Sequence, residues 1–354
     1  MKSATSFPNS LKSSAGLHRT EGSNPYDSWK LDPHLPLAPD EIKLRVSTLN
    51  LDSTSAQQLA DQHKYDENDV KIAVFEIVRS RGKMHNPVTG SGGVMCGEIV
   101  ETGELRKGDL HVRSRVVTLV SNTLVPLYLD RVLSVNLSTH QVQVEGFAIL
   151  PPFAKYAEIP EGLSDAVALT ALDVCGVVPQ VERLCTGASR VVILGASGKA
   201  GLFALYAATQ LIEPGGRILA VTPEGTPAWI QEDTAASVRW LECDARNASL
   251  LEERVFAAFD GHHADVVIDC TNVQGIEIGA AASCRSGGTV YFFNMATRFQ
   301  AAALGAELVS RDIQYVIGYG LLPQADQKAF ELLRAEPHLL RKIQRLAISS
   351  SGSV

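Results

Sequence analysis

Between Arg190 and Gly201 an apolar run, Val191-Val192-Ile193-Leu194, enters Gly195-Ala196-Ser197-Gly198-Lys199-Ala200-Gly201 and then a stretch rich in Ala and Leu. No other segment restricts the fold as tightly. A short apolar run closed by glycine reads as a strand buried on both faces. The glycines allow a tight turn, and the Ala/Leu stretch reads as a helix that starts on it. The same rhythm continues along the chain. Apolar strands are expected at Arg190–Leu194, Arg217–Thr222, Val238–Cys243, Ala264–Cys270, Thr289–Asn294 and Gln314–Tyr319. Helices are expected between them near Ala200–Leu211, Ser249–Phe259, Ile276–Cys284 and Ala301–Val309, with a further one at Gln324–Ala335. This alternation predicts an α/β fold, a doubly wound parallel sheet in the order 3-2-1-4-5-6.

Ahead of Pro160 the pattern differs. Ile42–Leu49, Gly97–Glu101, Val116–Val120 and Gln141–Gly146 are short, β-branched and punctuated by Gly and Pro. They predict a mostly β domain. Residues 1–26 are rich in Ser, Asn and Pro and are expected to form a flexible arm. The expected division is therefore an arm at 1–26, a mostly β domain at 27–159, a dinucleotide-type sheet domain at 160–345 and a flexible tail at 346–354. A junction helix is expected over Val167–Val178, with Asp173 as a lone acid in an apolar run.

A chain of 354 residues can bury two cores without disulfide staples. Its net charge of −7 argues against a nucleic-acid surface. No apolar run is long enough to cross a membrane, and Lys2 has no apolar run behind it, so no signal peptide is expected. The six cysteines, Cys96, Cys175, Cys185, Cys243, Cys270 and Cys284, form no Cys-x-x-Cys pair. They read as small core residues, as in a protein of the reducing cytoplasm.

A strand, a glycine turn and a helix N-terminus together make an anion site built from backbone N–H groups. In a sheet of this kind it points to a dinucleotide, with Gly195, Ala196, Ser197, Gly198, Lys199, Ala200 and Gly201 around the pyrophosphate. The plain alternative is a strand-to-helix turn without a ligand. The second strand ends Thr222-Pro223-Glu224 with no Arg just beyond, which favours NAD over NADP, Glu224 being the candidate for the ribose hydroxyls. Asp244, Thr271, Asn272, Asn294 and Met295 follow other strand ends and are expected to line the same crevice.

A β-rich domain followed by such a sheet resembles the medium-chain dehydrogenase/reductase superfamily, in which a GroES-like domain precedes a Rossmann domain. Closer likeness lies in Ser-Thr-Leu-Asn-Leu-Asp-Ser (Ser47–Ser53), Arg-Gly-Lys-Met-His-Asn-Pro-Val-Thr-Gly-Ser-Gly-Gly (Arg81–Gly93), Ala-Leu-Asp-Val-Cys-Gly (Ala171–Gly176), Val-Tyr-Phe-Phe-Asn-Met-Ala-Thr (Val290–Thr297) and Ala-Leu-Gly-Ala-Glu (Ala303–Glu307). Together these stretches resemble the family of L-erythro-3,5-diaminohexanoate dehydrogenases. The resemblance implies NAD-linked oxidation of a β-amino group, with loss of ammonia, in lysine degradation. Zinc alcohol dehydrogenases of the superfamily carry Gly-His-Glu before a Gly-x-Val strand; here that place reads Gly92-Gly93-Val94. Asn50 stands where the first zinc cysteine would fall, and the four-cysteine lobe is missing. No metal is therefore expected. The return segment to the first domain, common in the superfamily, is expected to be missing or reduced.

Oxidation of an amine by hydride transfer needs a neutral amine, a water to hydrolyse the iminium, and groups that hold the substrate's charged ends. His85 is a candidate proton shuttle. Lys83 or Lys199 would meet the carboxylate, and Asp52 or Asp173 the ammonium beyond the reacting carbon. Plainer readings stand beside these: a turn for His85-Asn86-Pro87, a strand-end Asx turn for Asp52, a solvated side chain for Lys199. Two other functions stay open, a zinc-free NADPH-dependent enone or quinone reductase and a dinucleotide-binding sensor without turnover. The expected partner is a small diamino acid, and the expected assembly a homodimer or homotetramer.

Overall fold

Alternation along Ile42–Asn50 (β1) puts Ile42, Leu44 and Val46 on one fully buried face. That strand is the centre of an antiparallel sheet. In chain order the first part of the protein continues with α1 (Ser53–Gln62), α2 (Glu67–Arg81), β2 (Val94–Thr102), β3 (Arg115–Thr118), β4 (Leu127–Asn136), β5 (Gln141–Leu150), β6 (Tyr156–Glu158) and α3 (Asp165–Leu172). The strand order is β4-β5-β1-β2-β3-β6. The computed structural model describes residues 17–20, 24–106, 112–294, 296–318 and 322–348. Residues 1–16 and 21–23 of the expected arm, Met295 and residues 349–354 of the expected tail lie outside the described residues.

Two helices stand within what reads in the sequence as a mostly β segment. Asp52 opens α1 by accepting from the Ser55 amide, and Asp66 opens α2 by accepting from the Asn68 and Asp69 amides. The buried stripe of α2, Val70, Val74 and Val78, repeats every four residues and packs on β4. Its valines are poor helix formers, so tertiary packing decides the outcome. The arm is also anchored earlier than expected. Arg19 forms a bidentate, fully buried pair with Glu41, at 2.7 Å through Nε and 2.6 Å through Nη2. Its remaining N–H groups donate to the carbonyls of Asp32, Leu35 and Pro36.

The remainder comprises α4 (Val177–Cys185), β7 (Arg190–Leu194), α5 (Lys199–Thr209), β8 (Arg217–Thr222), α6 (Ala228–Gln231), β9 (Val238–Glu242), α7 (Ala248–Ala258), β10 (Ala264–Asp269), α8 (Glu277–Ser283), β11 (Cys284–Phe292), α9 (Phe299–Leu308), β12 (Ile313–Ile317), α10 (Ala325–Ala335) and α11 (Pro337–Ile348). All six strands run parallel in the order β12-β11-β10-β7-β8-β9, which is the expected 3-2-1-4-5-6 arrangement. Val192, Leu194, Leu219, Val221, Val267 and Val290 face Leu251 and Val255 of α7, Ala280 of α8 and Ala302 of α9. The opposite face carries α5, packed against α4 and α10. An antiparallel unit and a doubly wound parallel unit are thus both present.

Contacts divide the chain after Asp173, with the second unit spanning Val174–Leu346. The division falls beyond Pro160 because α3 packs on β2 and β3, and Gln141 donates from Nε2 to the Ala166 carbonyl at 3.2 Å. The single junction helix expected over Val167–Val178 is two helices, α3 and α4, and Asp173 is the C-cap of the first. Helix α11 runs to Ile348, so the expected tail starts as helix. No described helix is long and apolar enough to cross a membrane.

Candidate functional site

In the parallel unit, β7 is followed by Gly195, whose φ of +73° is a conformation that side chains resist. The amides of Gly195 and Ala196 both donate to the Val221 carbonyl at 3.0 Å, which locks the turn against β8. Gly198 is the N-cap of α5, and no side chain caps that helix. The first turn of α5 therefore offers N–H groups and the positive end of its dipole to a ligand. Two glycines here have different duties. A Cβ on Gly201 would lie 2.1 Å from the Gly195 carbonyl oxygen, so Gly201 lets the helix pack on the turn. A Cβ on Gly198 would meet nothing closer than that same oxygen at 3.6 Å. The protein leaves room at Gly198, where a diphosphate has to approach. Ala196 and Ala200 are buried, Ser197 and Lys199 half-buried, and Lys199 is the first residue of α5. The residues fit a dinucleotide on this observation.

At the carboxyl ends of β10 and β11 the side chains are occupied with one another. Asp269 is buried, and its Oδ1 accepts from the Thr271 amide at 2.9 Å and from Thr271 Oγ1 at 2.7 Å. Its Oδ2 accepts from Asn294 Nδ2 at 2.8 Å. The Asn294 Oδ1 accepts from the amides of Ala296 and Thr297 and from Thr297 Oγ1. Glu277, also buried, accepts from the Gly275 and Arg298 amides. Burial pushes the Asp269 carboxyl up to about 6, against the hydrogen bonds from Thr271 and Asn294, and nearby Glu277 adds to the rise. Thr271 and Asn294 thus hold the loops after β10 and β11 together through Asp269. Asn272 lies exposed in the loop after Thr271. Asp244 is also exposed and forms a bidentate pair with Arg246, which holds its carboxyl below the usual range. Glu224 sits in an exposed turn after β8.

The antiparallel unit has its own glycine turn, and the sequence-derived residues cluster near it. Gly93 has φ +69°, and a Cβ there would lie 1.9 Å from the Asn50 carbonyl oxygen and 2.8 Å from the Asp52 amide. Asn122 closes the other side. Its amide donates to the Gly93 carbonyl at 2.8 Å and its Nδ2 to the Gly92 carbonyl at 3.0 Å. Asn50 and Asn122 are fully buried. Asp52 uses Oδ1 for the α1 cap at 2.9 Å. Three oxygens around this turn, Asn50 Oδ1, Asp52 Oδ2 and Asn122 Oδ1, are buried and accept from no protein donor.

Arg81, Lys83 and His85 run along the adjoining segment. Lys83 is fully buried, and its Nζ donates to the carbonyls of Pro25 at 2.5 Å and Tyr26 at 3.2 Å. Burial and the neighbouring Arg81 hold its ammonium down to about 8, with Asp27 opposing. Lys83 thus ties two segments together through these carbonyls. Arg81 stacks on Trp29 and donates from Nη1 to the His85 carbonyl at 2.7 Å. His85 is buried against the Tyr26 ring, with Nδ1 unpartnered. Burial, then Arg81 and Lys83, lower it to about 4. Burial thus holds the ring toward its neutral form, the form that can accept a proton. Asp173, at the α3 C-cap, lies half-buried and engaged in polar contact, away in sequence from this turn.

Sequence reasoning missed Asp269, Glu277 and Asn122. Asp269 ends a buried apolar strand, where an acid needs partners; that was the available signal. Asn122 carries none, since its place depends on the β3–β4 connection. Among the described residues no three His, Cys, Asp or Glu side chains are grouped so as to hold a metal ion.

Comparison with known proteins adds the following. Residues 17–160 match the family model of the L-erythro-3,5-diaminohexanoate dehydrogenase N-terminal domain. The chain is 37% identical over 330 residues to L-erythro-3,5-diaminohexanoate dehydrogenase of Acetoanaerobium sticklandii, covering 90% of this chain and 94% of the relative. It is 35% identical over 333 residues to the enzyme of that name from Fusobacterium nucleatum, covering 93% and 96%. In fold it is similar to a mycobacterial protein solved in complex with NADPH, with TM-score 0.56 and 16% identity over 93% of this chain and 94% of the other. It is likewise similar to an alcohol dehydrogenase from Thermotoga maritima, with TM-score 0.55 and 13% identity over 88% and 87%.

Proposed function

The chain belongs to the family of L-erythro-3,5-diaminohexanoate dehydrogenases, and from that premise we propose that it oxidatively deaminates L-erythro-3,5-diaminohexanoate to 5-amino-3-oxohexanoate. The balanced reaction takes the C3 ammonium form, the oxidised coenzyme and one water, and yields the ketone, the reduced coenzyme, ammonium ion and one proton. The observation that carries the coenzyme part is the Gly195–Gly201 turn, with an uncapped helix start and open space at Gly198. A nicotinamide dinucleotide bound there supplies the hydride acceptor. The backbone N–H groups of the turn hold its diphosphate, and Asp269, Thr271 and Asn294 fix the loops beside it.

NAD is the preferred coenzyme. The turn after β8 presents the exposed acid Glu224, and the following residues Gly225, Thr226 and Pro227 carry no cation for a 2′-phosphate. In the antiparallel unit, polar oxygens are left for a substrate rich in N–H donors. That chemistry suits an amine better than an enone, whose carbonyl needs a donor. Spectrophotometry tests the reading. NAD⁺ with the diamine should give absorbance of the reduced coenzyme, with ammonia released in equal amount. Consumption of NADPH with an enone, and no reaction with the diamine, would contradict it.

The protein is also read as a homo-oligomer. Strand β12 is one of the two edges of the parallel sheet, and Phe299, Leu304, Leu308 and Ile317 on α9 and β12 are 69%, 59%, 70% and 49% exposed. An unpaired edge beside apolar side chains favours pairing with a second copy. Light scattering giving the mass of a single chain would remove this assignment.

A further inference from the structure

Buried polar atoms without a partner in the chain are costly, and each calls for a partner from outside it, an ordered water or a ligand group. Asn50, Asp52 and Asn122 come from three different segments: the end of β1, the start of α1 and the β3–β4 connection. Their segments meet on the Gly92–Gly93 turn: the backbone carbonyl oxygen of Asn50 and the backbone nitrogen of Asp52 lie 1.9 Å and 2.8 Å from the Gly93 Cβ position, and Asn122 makes two hydrogen bonds to the turn. Each leaves one side-chain oxygen buried and unpartnered. The orientation of Asn122 is fixed, because its Nδ2 donates to the Gly92 carbonyl at 3.0 Å and turning the amide would set oxygen against oxygen. Asp52 is fixed by its cap, with Oδ1 on the Ser55 amide. The set offers acceptors only, with a single formal negative charge from the carboxylate.

A group with three N–H donors, no acceptor and one positive charge is a primary ammonium. We propose that Asn50 Oδ1, Asp52 Oδ2 and Asn122 Oδ1 form the subsite for the substrate's C5 ammonium, the one that stays charged through the reaction. The inference rests on the diamine reading above. The C3 nitrogen has to lose a proton before hydride leaves, and three acceptors with a carboxylate would hold that proton in place. The C5 nitrogen keeps its protons, so the same contacts serve it at every stage. Asn50 and Asn122 then act as specificity determinants that distinguish a 3,5-diamine from a 3-monoamine.

Two conservative variants test this. Asp52→Asn keeps a good helix cap and removes the charge. Asn50→Leu removes an unpartnered oxygen and loses only a long 3.5 Å contact from Nδ2 to the Leu51 carbonyl. Binding is read by the thermal shift of the full chain in saturating NADH with 3,5-diaminohexanoate, and separately with 3-aminohexanoate. Turnover is followed in parallel. Both variants should bind the diamine on the order of 10-fold more weakly, with affinity for 3-aminohexanoate changed by no more than about twofold. Free Asn50→Leu should melt a few degrees higher than the unmutated protein, since an unpaired buried acceptor has gone. Equal losses for both ligands, no loss for either, or a lower melting point of free Asn50→Leu would overturn the subsite. A shift given by potassium chloride alone and abolished by the same variants would overturn it too, in favour of a metal cation. Diamine binding that is sensitive to the variants, in a protein that forms no NADH from the diamine, would keep the subsite and defeat the proposed reaction.

Discussion

The two glycine turns use opposite chemistry. Around Gly195–Gly201 the buried acids are satisfied, Asp269 by Thr271 and Asn294 and Glu277 by the Gly275 and Arg298 amides, while Thr222 Oγ1 is buried without a partner. What remains for a ligand is backbone N–H, the donor an anionic diphosphate requires. Around Gly92–Gly93 the two carbonyls are engaged by Asn122 and side-chain oxygens remain, the acceptors that an amine requires. The difference teaches that the polarity of what is left unpaired, more than the glycines themselves, assigns each turn its ligand.

The sharpest way to break the comparison is with the two glycines of α5. Gly201→Val should cost well over about 3 kcal/mol, because its Cβ meets backbone at 2.1 Å and neither side can move. Chemical denaturation should show loss of the folded state. Gly198→Val should leave the melting temperature within a few degrees while NADH titration, followed by fluorescence, loses at least about 100-fold in affinity. Equal destabilisation by both would mean that Gly198 is a packing glycine as well.

A second contrast is in pH. The native imidazole of His85 is lowered from 6.5 to about 4. The unfolded chain therefore binds the extra proton first, and stability falls as pH drops from about 6.5 to 4, by roughly 3 kcal/mol. Asp269 runs the other way. Its native carboxyl is raised from 3.8 to about 6, so its contribution is full below the unfolded value and is lost as pH rises through 6. His85→Gln should remove the acid-side loss and expose the opposing slope between pH 4 and 6 in urea unfolding curves. An unchanged pH profile in His85→Gln would mean that the ring is free to protonate in the native state.

The smallest effect concerns metal. An amide at Asn50 and no side chain at Gly93 cannot replace the thiolate and imidazole of a catalytic zinc site. Prolonged dialysis against a strong chelator should leave diamine turnover within about twofold. Loss of stoichiometric zinc together with activity would refute this.

The parallel unit was legible because a buried parallel strand carries its signal locally: Val191–Leu194 and Ile218–Val221 are apolar at every position. The antiparallel unit was less so. Glu67–Arg81 carries three valines at helical spacing, but the preference of valine for strands hides them. Asn50 stood out only as the residue at the place of the first zinc cysteine, and Asp52 only as an acid at a strand end. Asn122 could not be seen, since the loop that brings it to Gly92 has no pattern of its own. What could not be read in advance for Lys83 and His85 is their burial. Charge in a sequence says nothing of burial, and here burial ties Lys83 to two carbonyls and keeps His85 neutral.

The division of labour between the turns is tested most directly by measuring both ligands on one variant from each. NADH affinity by fluorescence and kcat/KM for 3,5-diaminohexanoate are determined for Gly198→Val and Asn50→Leu. Asn50→Leu should keep NADH affinity within about twofold while kcat/KM falls on the order of 10-fold, and Gly198→Val should lose NADH binding itself. If Asn50→Leu weakens NADH as much as Gly198→Val does, or if Gly198→Val binds NADH normally, the assignment of donors to one turn and acceptors to the other is wrong.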